Sequence, residues 1–437
     1  MRRSLAVALL ALAAGLPLAA RAAHAQDTTR GVRLTLEYRP GVRPGVLVLP
    51  IAGAAGDSIR AMLERDLDNG NRVSVVQMTG ADAATLAPTA GRAPNWALLG
   101  RLGAAGMIQA TVTPTGLHVA VYDVGRQSVL DSQDFPLPTP QLGREWRHAV
   151  HGVSDAVEEW LTGTRGIAQT RIAFVRGSSL MLVDSDGAME TALPVVSAPM
   201  SPAWHPQGEA LAYNTFGIES RVMVHDFSTG RSRTVSPTRG GVNQTATFSP
   251  NGASIVYSHT GESGDAELYT VPSTGGGARR ITAGGRALNV SPSFSPDGRR
   301  LVFTSSRAGA PQVYIMDADG TNAELLTSFV FGEQSYQSNP DWSPDGRLVA
   351  YQSQIAGRFQ IKTIAIRDRS TRVLTSEGLN EDPSWAPDGR HLVFTSTRTG
   401  ARQLWVLDTE SGRVRQLTRT PGARSPAWSR RQGGGAR

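Results

Sequence analysis

The sequence has 437 residues, 40% hydrophobic and 19% charged, which fits a globular protein of two domains and excludes a disordered chain. Its net charge of +7 comes from basic residues scattered along the chain, which argues against a nucleic-acid-binding protein. Because the chain has no cysteine, disulfides and thiolate metal sites are excluded.

Residues 1–25 are predicted to be a signal peptide, because two arginines precede an apolar stretch that ends in a small-residue cleavage site. The apolar stretch covers residues 4–20, and cleavage after Ala23-His24-Ala25 would make Gln26 the first mature residue. Ordinary secretion is favoured over twin-arginine export, and no cysteine follows that could carry a lipid. We therefore expect an exported protein that does not insert into a membrane.

Residues 26–165 are predicted to form a small α/β domain. Residues 45–50 are read as a buried strand, and a helix over residues 57–67 is expected to be capped by Asp57 and ended by Asn69-Gly70. Three strands follow over residues 107–113, 117–122 and 128–135. The last helix carries one apolar stripe, at Leu142, Trp146, Val150, Val153, Val157, Trp160 and Leu161.

A repeat fills residues 166–430. An aromatic residue precedes a turn at spacings of 44, 46, 48, 43 and 43 residues, at Trp204, Phe248, Phe294, Trp342, Trp385 and Trp428. A period in the forties is typical of propeller blades or helical pairs, and the β-branched and aromatic runs with Asp-Gly turns favour blades. The third copy predicts four strands, over residues 291–295, 301–305, 312–317 and 323–327.

Two incomplete copies predict how the ring closes. The sequence SPAWS at 425–429 is the start of a repeat without its remainder, and residues 171–189 are a remainder without its start. If the two form one blade, they complete a six-bladed β-propeller whose last blade is closed by both ends of the repeat region. The predicted fold is therefore an N-terminal α/β domain followed by an all-β propeller, with residues 431–437 as a basic flexible tail.

Titratable residues that could form a catalytic or metal site have simpler explanations. His148, His151 and Asp155 have a helical spacing that could hold a metal, although the polar face of an amphipathic helix explains it as well. The recurring turn aspartates, such as Asp297 and Asp345, lie in separate blades and are interpreted as turn formers. No G-x-S-x-G nucleophile motif occurs. We therefore predict no catalytic, cofactor or metal site.

The order of these parts resembles the TolB family of Gram-negative cell envelopes. The shared parts are the signal peptide, the α/β domain ending in a Trp-containing helix, the TRIAF start of the ring, the SPDG blades and the final SPAWS. The resemblance covers essentially the whole mature chain. It implies a periplasmic adaptor of the Tol–Pal system that is not an enzyme and that serves outer-membrane integrity and constriction at cell division. The implied partners are a Pal-like outer-membrane lipoprotein and a TolA-like inner-membrane protein.

The resemblance also implies where these partners bind. The TolA-like protein would contact the alternating segment after QDTTRG, through Val32, Leu34 and Leu36. The Pal-like protein would contact the propeller, where loops that lead into the first strand of each blade gather around one mouth of the channel. The polar residues predicted for this contact are Asn243, Gln244, Asn289, Asn339, Asn380, Glu381 and Asp382.

One alternative function is a periplasmic propeller enzyme or small-ligand sensor that uses the central channel. It would require a deep channel with convergent titratable groups, and the sequence assembles none. The adaptor is therefore favoured, and we expect a monomer without a cofactor. Whether a cation occupies the channel stays open.

Overall fold

The computed structural model describes residues 43–86, 93–195, 198–217, 220–236, 241–261, 264–283, 286–328 and 336–431. Within these ranges, no helix combines the length and the apolar character needed to cross a bilayer. The predicted signal peptide and the segment with Val32, Leu34 and Leu36 lie outside them.

The N-terminal part is one mixed sheet with helices on both faces. Its strands are β1 (Gly45–Val48), β2 (Ser74–Val75), β3 (Ala104–Thr113), β4 (Gly116–Asp123) and β5 (Ser128–Pro136), in the order β2-β1-β3-β4-β5. Strand β1 is parallel to both neighbours, and the remaining pairs are antiparallel. The helices are α1 (Gly56–Gly70), α2 (Gly80–Ala84), α3 (Trp96–Arg101) and α4 (Arg144–Thr162).

Helices α1 and α4 cover one face of this sheet and form its main core. The predicted stripe of α4 is buried from Trp146 to Leu161, against Leu63 and Leu67 of α1 and Ile108 of β3. Leu142 was wrongly included in that stripe, because it lies before the helix with φ 64° and is 55% exposed. The opposite face packs on α3, where Leu99 is buried.

The limits of α1 also differ from the prediction. The residue at its N-cap is Ala55, in a left-handed conformation with no side-chain capping bond, and Asp57 lies within the first turn. A carboxylate there still interacts favourably with the helix dipole, although it does not cap the chain. The helix continues through Asn69 and ends at Gly70, and the C-cap residue Asn71 takes φ 54°.

Residues 171–428 form six four-stranded antiparallel sheets, which confirms the predicted six-bladed propeller. Blade 1 has β9 (Pro199–Trp204), β10 (Ala210–Thr215), β11 (Val222–Asp226) and β12 (Arg231–Thr234). Blade 2 has β13 (Val242–Phe248), β14 (Ser254–Thr260), β15 (Ala266–Pro272) and β16 (Arg279–Arg280). Blade 3 has β17 (Asn289–Phe294), β18 (Arg300–Ser305), β19 (Gln312–Asp317) and β20 (Glu324–Leu325).

The remaining blades complete the ring. Blade 4 has β21 (Gln337–Trp342), β22 (Leu348–Ile355), β23 (Arg358–Ala365) and β24 (Thr371–Val373). Blade 5 has β25 (Asn380–Trp385), β26 (His391–Ser396), β27 (Gln403–Asp408) and β28 (Val414–Gln416). The composite blade joins β29 (Ala423–Trp428) to β6 (Arg171–Arg176), β7 (Ser179–Asp184) and β8 (Thr191–Ala192).

Closure by both ends of the repeat region is confirmed. Strand β29 pairs antiparallel with β6, with Trp428 opposite Ile172 and Ala423 opposite Arg176. The indole Nε1 of Trp428 donates a hydrogen bond to Thr170 Oγ1 at 2.8 Å. The last strand therefore supplies the innermost position of the blade that begins the ring.

Candidate functional site

The two ends of the ring differ in what covers them. Each blade starts at its innermost strand, so its first and third turns lie at one end of the ring, here called the proximal end. The second turns and the connections between blades lie at the other, the distal end. Helices α1 and α4 and the residues after α1 contact the proximal end at blade 5 and the composite blade.

A buried ionic cluster forms the contact with blade 5. Arg390 donates to both carboxylate oxygens of Asp408, at 2.8 and 2.6 Å, and to the backbone oxygen of Asn71 at 3.2 Å. Arg72 lies 3.3 Å from Glu158 and 3.2 Å from Asp388. These residues come from both parts of the molecule, so the cluster ties the sheet-and-helix region to the ring.

The pKa values of two carboxyl groups in this cluster are shifted in opposite directions. Burial opposes ionisation of Asp388, but His391 and Arg72 outweigh it and hold the pKa of Asp388 below its usual range. Burial raises the pKa of Glu158 to about 8, which the nearby Arg72 reduces only in part. The contact therefore combines a carboxyl group whose neighbours favour its ionised form with one whose burial favours its protonated form.

A second cluster joins α1 and α4 to the third turn of the composite blade. His151 Nδ1 lies 2.8 Å from Asp66 Oδ2, which also accepts a hydrogen bond from Ser154 at 2.7 Å. Arg147 donates to Asp186 at 2.8 Å. Burial opposes the charge of His151, but Asp66 and Asp186 outweigh it and raise the pKa of His151.

The helical metal site considered from sequence does not form in the described residues. His151 pairs with Asp66, whereas Asp155 accepts hydrogen bonds from the backbone N–H groups of Ala168 and Gln169 at 2.6 and 3.1 Å. Ligand atoms of Asp66, His151 and Asp186 do lie within 4.8 Å of one another. The guanidinium of Arg147 already lies 2.8 Å from Asp186 and supplies the positive charge there.

Six equivalent residues surround the channel near the distal end. Five of them occupy the third position of an innermost strand, and the sixth occupies the matching position of blade 2. At all six positions the pairing register shifts and φ lies between 47° and 54°. Proline follows in five of them. We call this set the channel ring: Ser201, Thr245, Ser291, Asn339, Asp382 and Ser425.

Side chains of the channel ring bond to one another across blades. Ser291 Oγ donates to Asn339 Oδ1 at 2.8 Å, and Asn339 Nδ2 donates to Asp382 Oδ1 at 2.6 Å. Ser425 Oγ lies 3.3 Å from the other oxygen of Asp382. Burial raises the pKa of Asp382, against the hydrogen bonds from Asn339 and Ser425. The ring thus presents a polar, hydrogen-bonded collar to the channel.

On the proximal side of the channel ring, aromatic side chains form part of the channel wall. Asp341 accepts hydrogen bonds from Ser293 Oγ at 3.1 Å and from the backbone N–H of Trp385 at 2.7 Å. Burial raises the pKa of Asp341 despite these bonds. The cavity has a volume of about 510 Å³, and its aromatic walls are Trp204, Phe248, Phe294, Trp342, Trp385 and Trp428.

Three of the seven residues predicted to contact a Pal-like protein have buried side chains. Asn243 Nδ2 donates to the backbone oxygen of Ser220 in the preceding blade, and Asn289 Nδ2 donates to Ala266 at 3.2 Å. Asn380 Nδ2 donates to Gln360 Oε1 at 2.7 Å. These amides join neighbouring blades. Their side chains therefore do not lie at the channel mouth, where the sequence analysis had predicted them.

The other four predicted residues are more accessible. Gln244 is exposed, and Glu381 is half-buried with its carboxylate 3.1 Å from Arg402. Asn339 and Asp382 line the channel. The structure therefore brings two of the seven together in the channel ring. The positive φ of the channel-ring residues was not predicted from the sequence, although Ser-Pro, Asn-Pro or Asp-Pro recurs at five of the six positions.

Comparison with known proteins gives three findings. Residues 158–432 match the family model described as the TolB beta propeller domain. The Tol-Pal system proteins TolB of Bordetella pertussis and Bordetella parapertussis are 33% identical over 190 residues, 41% of this chain. The aligned part spans 42% of the length of these relatives. The crystal structure of TolB from Acinetobacter baumannii matches with a TM-score of 0.76 and 24% identity, over 90% of this chain and 98% of that one.

Proposed function

The chain belongs to the TolB β-propeller family, and from this premise we propose that it is a periplasmic adaptor of a Tol–Pal system rather than an enzyme. The propeller binds a Pal-like outer-membrane lipoprotein, and the segment with Val32, Leu34 and Leu36 binds a TolA-like inner-membrane protein. By bridging them, the protein serves outer-membrane integrity and constriction at division. Residues 1–25 direct export and are then removed, and the functional units are residues 26–165 and 166–430.

The observation that carries this proposal is the unequal covering of the ring. At the proximal end, blade 5 and the composite blade are contacted by α1, α4 and the residues after α1, through the buried clusters at Arg390 and His151. In the described residues, nothing comparable covers the distal end. Among the described residues, the distal end is therefore the more accessible one for a protein partner of the propeller, and the channel ring lies at its centre.

The channel gives less support to the alternative, an enzyme or small-ligand sensor. Its described lining contains two carboxyl groups, Asp341 and Asp382, both of which accept hydrogen bonds from neighbouring blades. Histidine is absent from that described lining, so a nucleophile paired with an imidazole base is not assembled there. The polar collar suits recognition of a protein better than chemistry on a substrate.

The test is calorimetric titration of residues 26–437 with the soluble domain of the same organism's Pal-like lipoprotein. We expect saturable one-to-one binding, weakened by Asn339→Ser and Asp382→Ser. Serine is chosen as the replacement because Ser201, Ser291 and Ser425 take the same backbone conformation at the equivalent positions of the channel ring. Absence of binding by the folded wild-type chain would refute the proposed function.

The second arm of the test concerns the N-terminal segment. Binding to the TolA-like protein should be lost when Val32, Leu34 and Leu36 are changed to serine, because an added strand is held partly by alternate side chains. The same variant should bind the Pal-like domain unchanged. Equal TolA binding by variant and wild type would exclude this segment as the contact.

A further inference from the structure

One turn of the ring carries a fully buried carboxylate to the sheet-and-helix region. Asp186, in the third turn of the composite blade, has a side chain with 0% exposure. It accepts a hydrogen bond from Arg147 of α4 at 2.8 Å and lies 2.6 Å from Arg65 of α1. Because both arginines belong to the other part of the molecule, Asp186 is a point at which α1 and α4 hold the ring.

His151 lies between this carboxylate and a second one. Its Nδ1 is 2.8 Å from Asp66 Oδ2 on α1, and its Nε2 is 3.8 Å from Asp186 Oδ2. The side chain of His151 is 1% exposed, so solvent screens these interactions little. A protonated imidazole carries an N–H on both nitrogens, whereas a neutral one carries a single N–H and one acceptor. The charge state of His151 therefore decides whether both carboxylates or only one of them face a donor.

Arg147 is the side chain that this difference would move. Its Nη2 donates to Asp186 and also lies 3.5 Å from His151 Nε2, one helical turn away on α4. An imidazolium at His151 repels the guanidinium and favours its bond to Asp186. A neutral imidazole can instead offer Nε2 as an acceptor. The same arginine can thus bond to the ring or to its own helix, according to the protonation of His151.

The other charged groups at this contact have partners that do not titrate near neutral pH. Asp184, at the start of the same turn, lies 3.6 Å from Arg171 and 3.8 Å from Arg147. Arg415, from the outer strand of blade 5, donates to the backbone oxygen of Ser185 at 2.7 Å. Arginine keeps its charge over the whole physiological range. These interactions therefore form a constant background to the change at His151.

On α1 and α4, Asp66 depends most on His151. Its Oδ2 also accepts a hydrogen bond from Ser154 at 2.7 Å, and its Oδ1 accepts none from the described residues. Two further titratable groups lie within about one turn of His151 on α4. Asp155 accepts the backbone bonds of the linker, and burial lowers the pKa of His148 to about 4, so that His148 is neutral near pH 7. His151 is therefore the histidine of this helix that can change its charge near neutral pH.

We propose that His151 switches the contact between α4 and the composite blade with a single proton: its imidazolium pairs with Asp66 and leaves Arg147 on Asp186, and its neutral form draws Arg147 away from the ring. Burial opposes the charge of His151, but Asp66 and Asp186 outweigh it and raise its pKa. The contact is therefore tight below the usual histidine pKa of about 6.5 and loosens as pH rises through the raised pKa. This inference does not depend on what either part of the molecule binds.

The experiment measures the distance between the two parts with a pair of spin labels. The chain has no cysteine, so labels can be attached at Val129→Cys on β5 and Val373→Cys on β24, where the side chains are 52% and 51% exposed. With a chelator present to remove metal ions, we expect a narrow distance distribution at about pH 6 and a broader one at about pH 9. Circular dichroism at both pH values checks that the two parts stay folded.

Two histidine variants identify the group. His151→Gln cannot carry the charge, so its distribution should be broad at both pH values. His148→Gln is the matched control one turn away, and it should respond to pH as the wild type does, because His148 is already neutral. A wild-type distribution that is the same at both pH values would overturn the proposal. A pH response that persists in His151→Gln would overturn it as well and assign the response to another group.

Two further measurements keep the proposal testable if His151→Gln does not fold. In the folded wild type, NMR titration of the imidazole signals should place the pKa of His151 above about 6.5, and a value at or below it would contradict the switch. Asp186→Asn keeps an oxygen for the backbone N–H of Ala188 but removes the charge that attracts Arg147. Its distance distribution should be broad at both pH values, and an unaltered pH response would overturn the role of this contact.

Discussion

Two carboxyl groups of α4 are buried without a full set of opposite charges. Asp155 is 1% exposed and accepts two backbone hydrogen bonds, and Glu158 is 4% exposed beside Arg72. Burial raises the pKa of Asp155 to about 7 and that of Glu158 to about 8. The side chains fit closely, since a Cβ added to Gly166 would lie 2.5 Å from Asp155 and 2.9 Å from Glu158.

These pKa values fix the sign of a pH dependence. In the unfolded chain both groups ionise near pH 4, so between about pH 4 and 8 the folded state binds more protons than the unfolded state. These two groups therefore lower the free energy of unfolding as pH rises through that window. His151 acts in the same direction, because its raised pKa means that its stabilising charge is lost as pH rises.

We predict that Glu158→Gln flattens the decline of stability between pH 6 and 9, because glutamine keeps the protonated shape and cannot ionise. Urea unfolding at several pH values measures this. Glu159→Gln is the matched control on the same helix, since its side chain is 41% exposed. An unchanged slope in the Glu158 variant would contradict the assignment of the decline to this group.

Strand β29 is the element that closes the ring. It pairs with β6 on one edge, and Trp204 of blade 1 donates an indole hydrogen bond to the backbone oxygen of Ala427 at 2.9 Å. Trp428 is 5% exposed within the core shared by β6 and blade 5. The strand therefore contacts both neighbours of the composite blade.

Truncation after Gly422 is expected to destabilise the whole propeller, by about 3–5 kcal/mol from the lost aromatic alone. Thermal and urea unfolding of the truncated chain measure the loss. Truncation after Arg431 is the control, because it keeps β29. If the two truncated chains unfold alike, closure by this strand does not contribute to stability.

The strands could be predicted from sequence where turn chemistry marks their ends. In blade 3, the predicted strand at 312–317 matches β19, and the strand at 301–305 misses one residue of β18. The fourth strand was predicted over 323–327 and covers only Glu324–Leu325, because the outermost position has a single pairing partner. Local patterns give the existence of a strand, whereas pairing fixes its length.

The candidate site was less predictable because contacts between blades decide which of its polar residues are buried and which face the channel. Asn289 and Asn339 are both amides near the start of innermost strands. One bonds the backbone of the preceding blade and is buried, and the other faces the channel. Their roles depend on partners 23 and 43 residues away, which no local pattern reveals.

At the scale of the whole molecule, buried and exposed charged groups link the sheet-and-helix region to the ring. Arg390 and Asp408 are 4% and 2% exposed, and both contact Asn71 after α1. Arg413 and Asp68 also cross this contact, at 2.6 Å, but their side chains are 40% and 47% exposed. The same interface thus contains a buried ion pair and an exposed one.

The difference between the buried and the exposed ion pair predicts how the two parts unfold. Arg390→Met leaves Asp408 buried without its main partner, which costs about 3–5 kcal/mol, whereas Asp68→Asn removes an exposed pair worth about 0–1 kcal/mol. In scanning calorimetry, we expect one transition for the wild type and for Asp68→Asn, and two for Arg390→Met, because the parts no longer stabilise each other. A single transition with an unchanged midpoint in the Arg390 variant would mean that the buried cluster does not couple them, and that apolar contacts hold the two parts together.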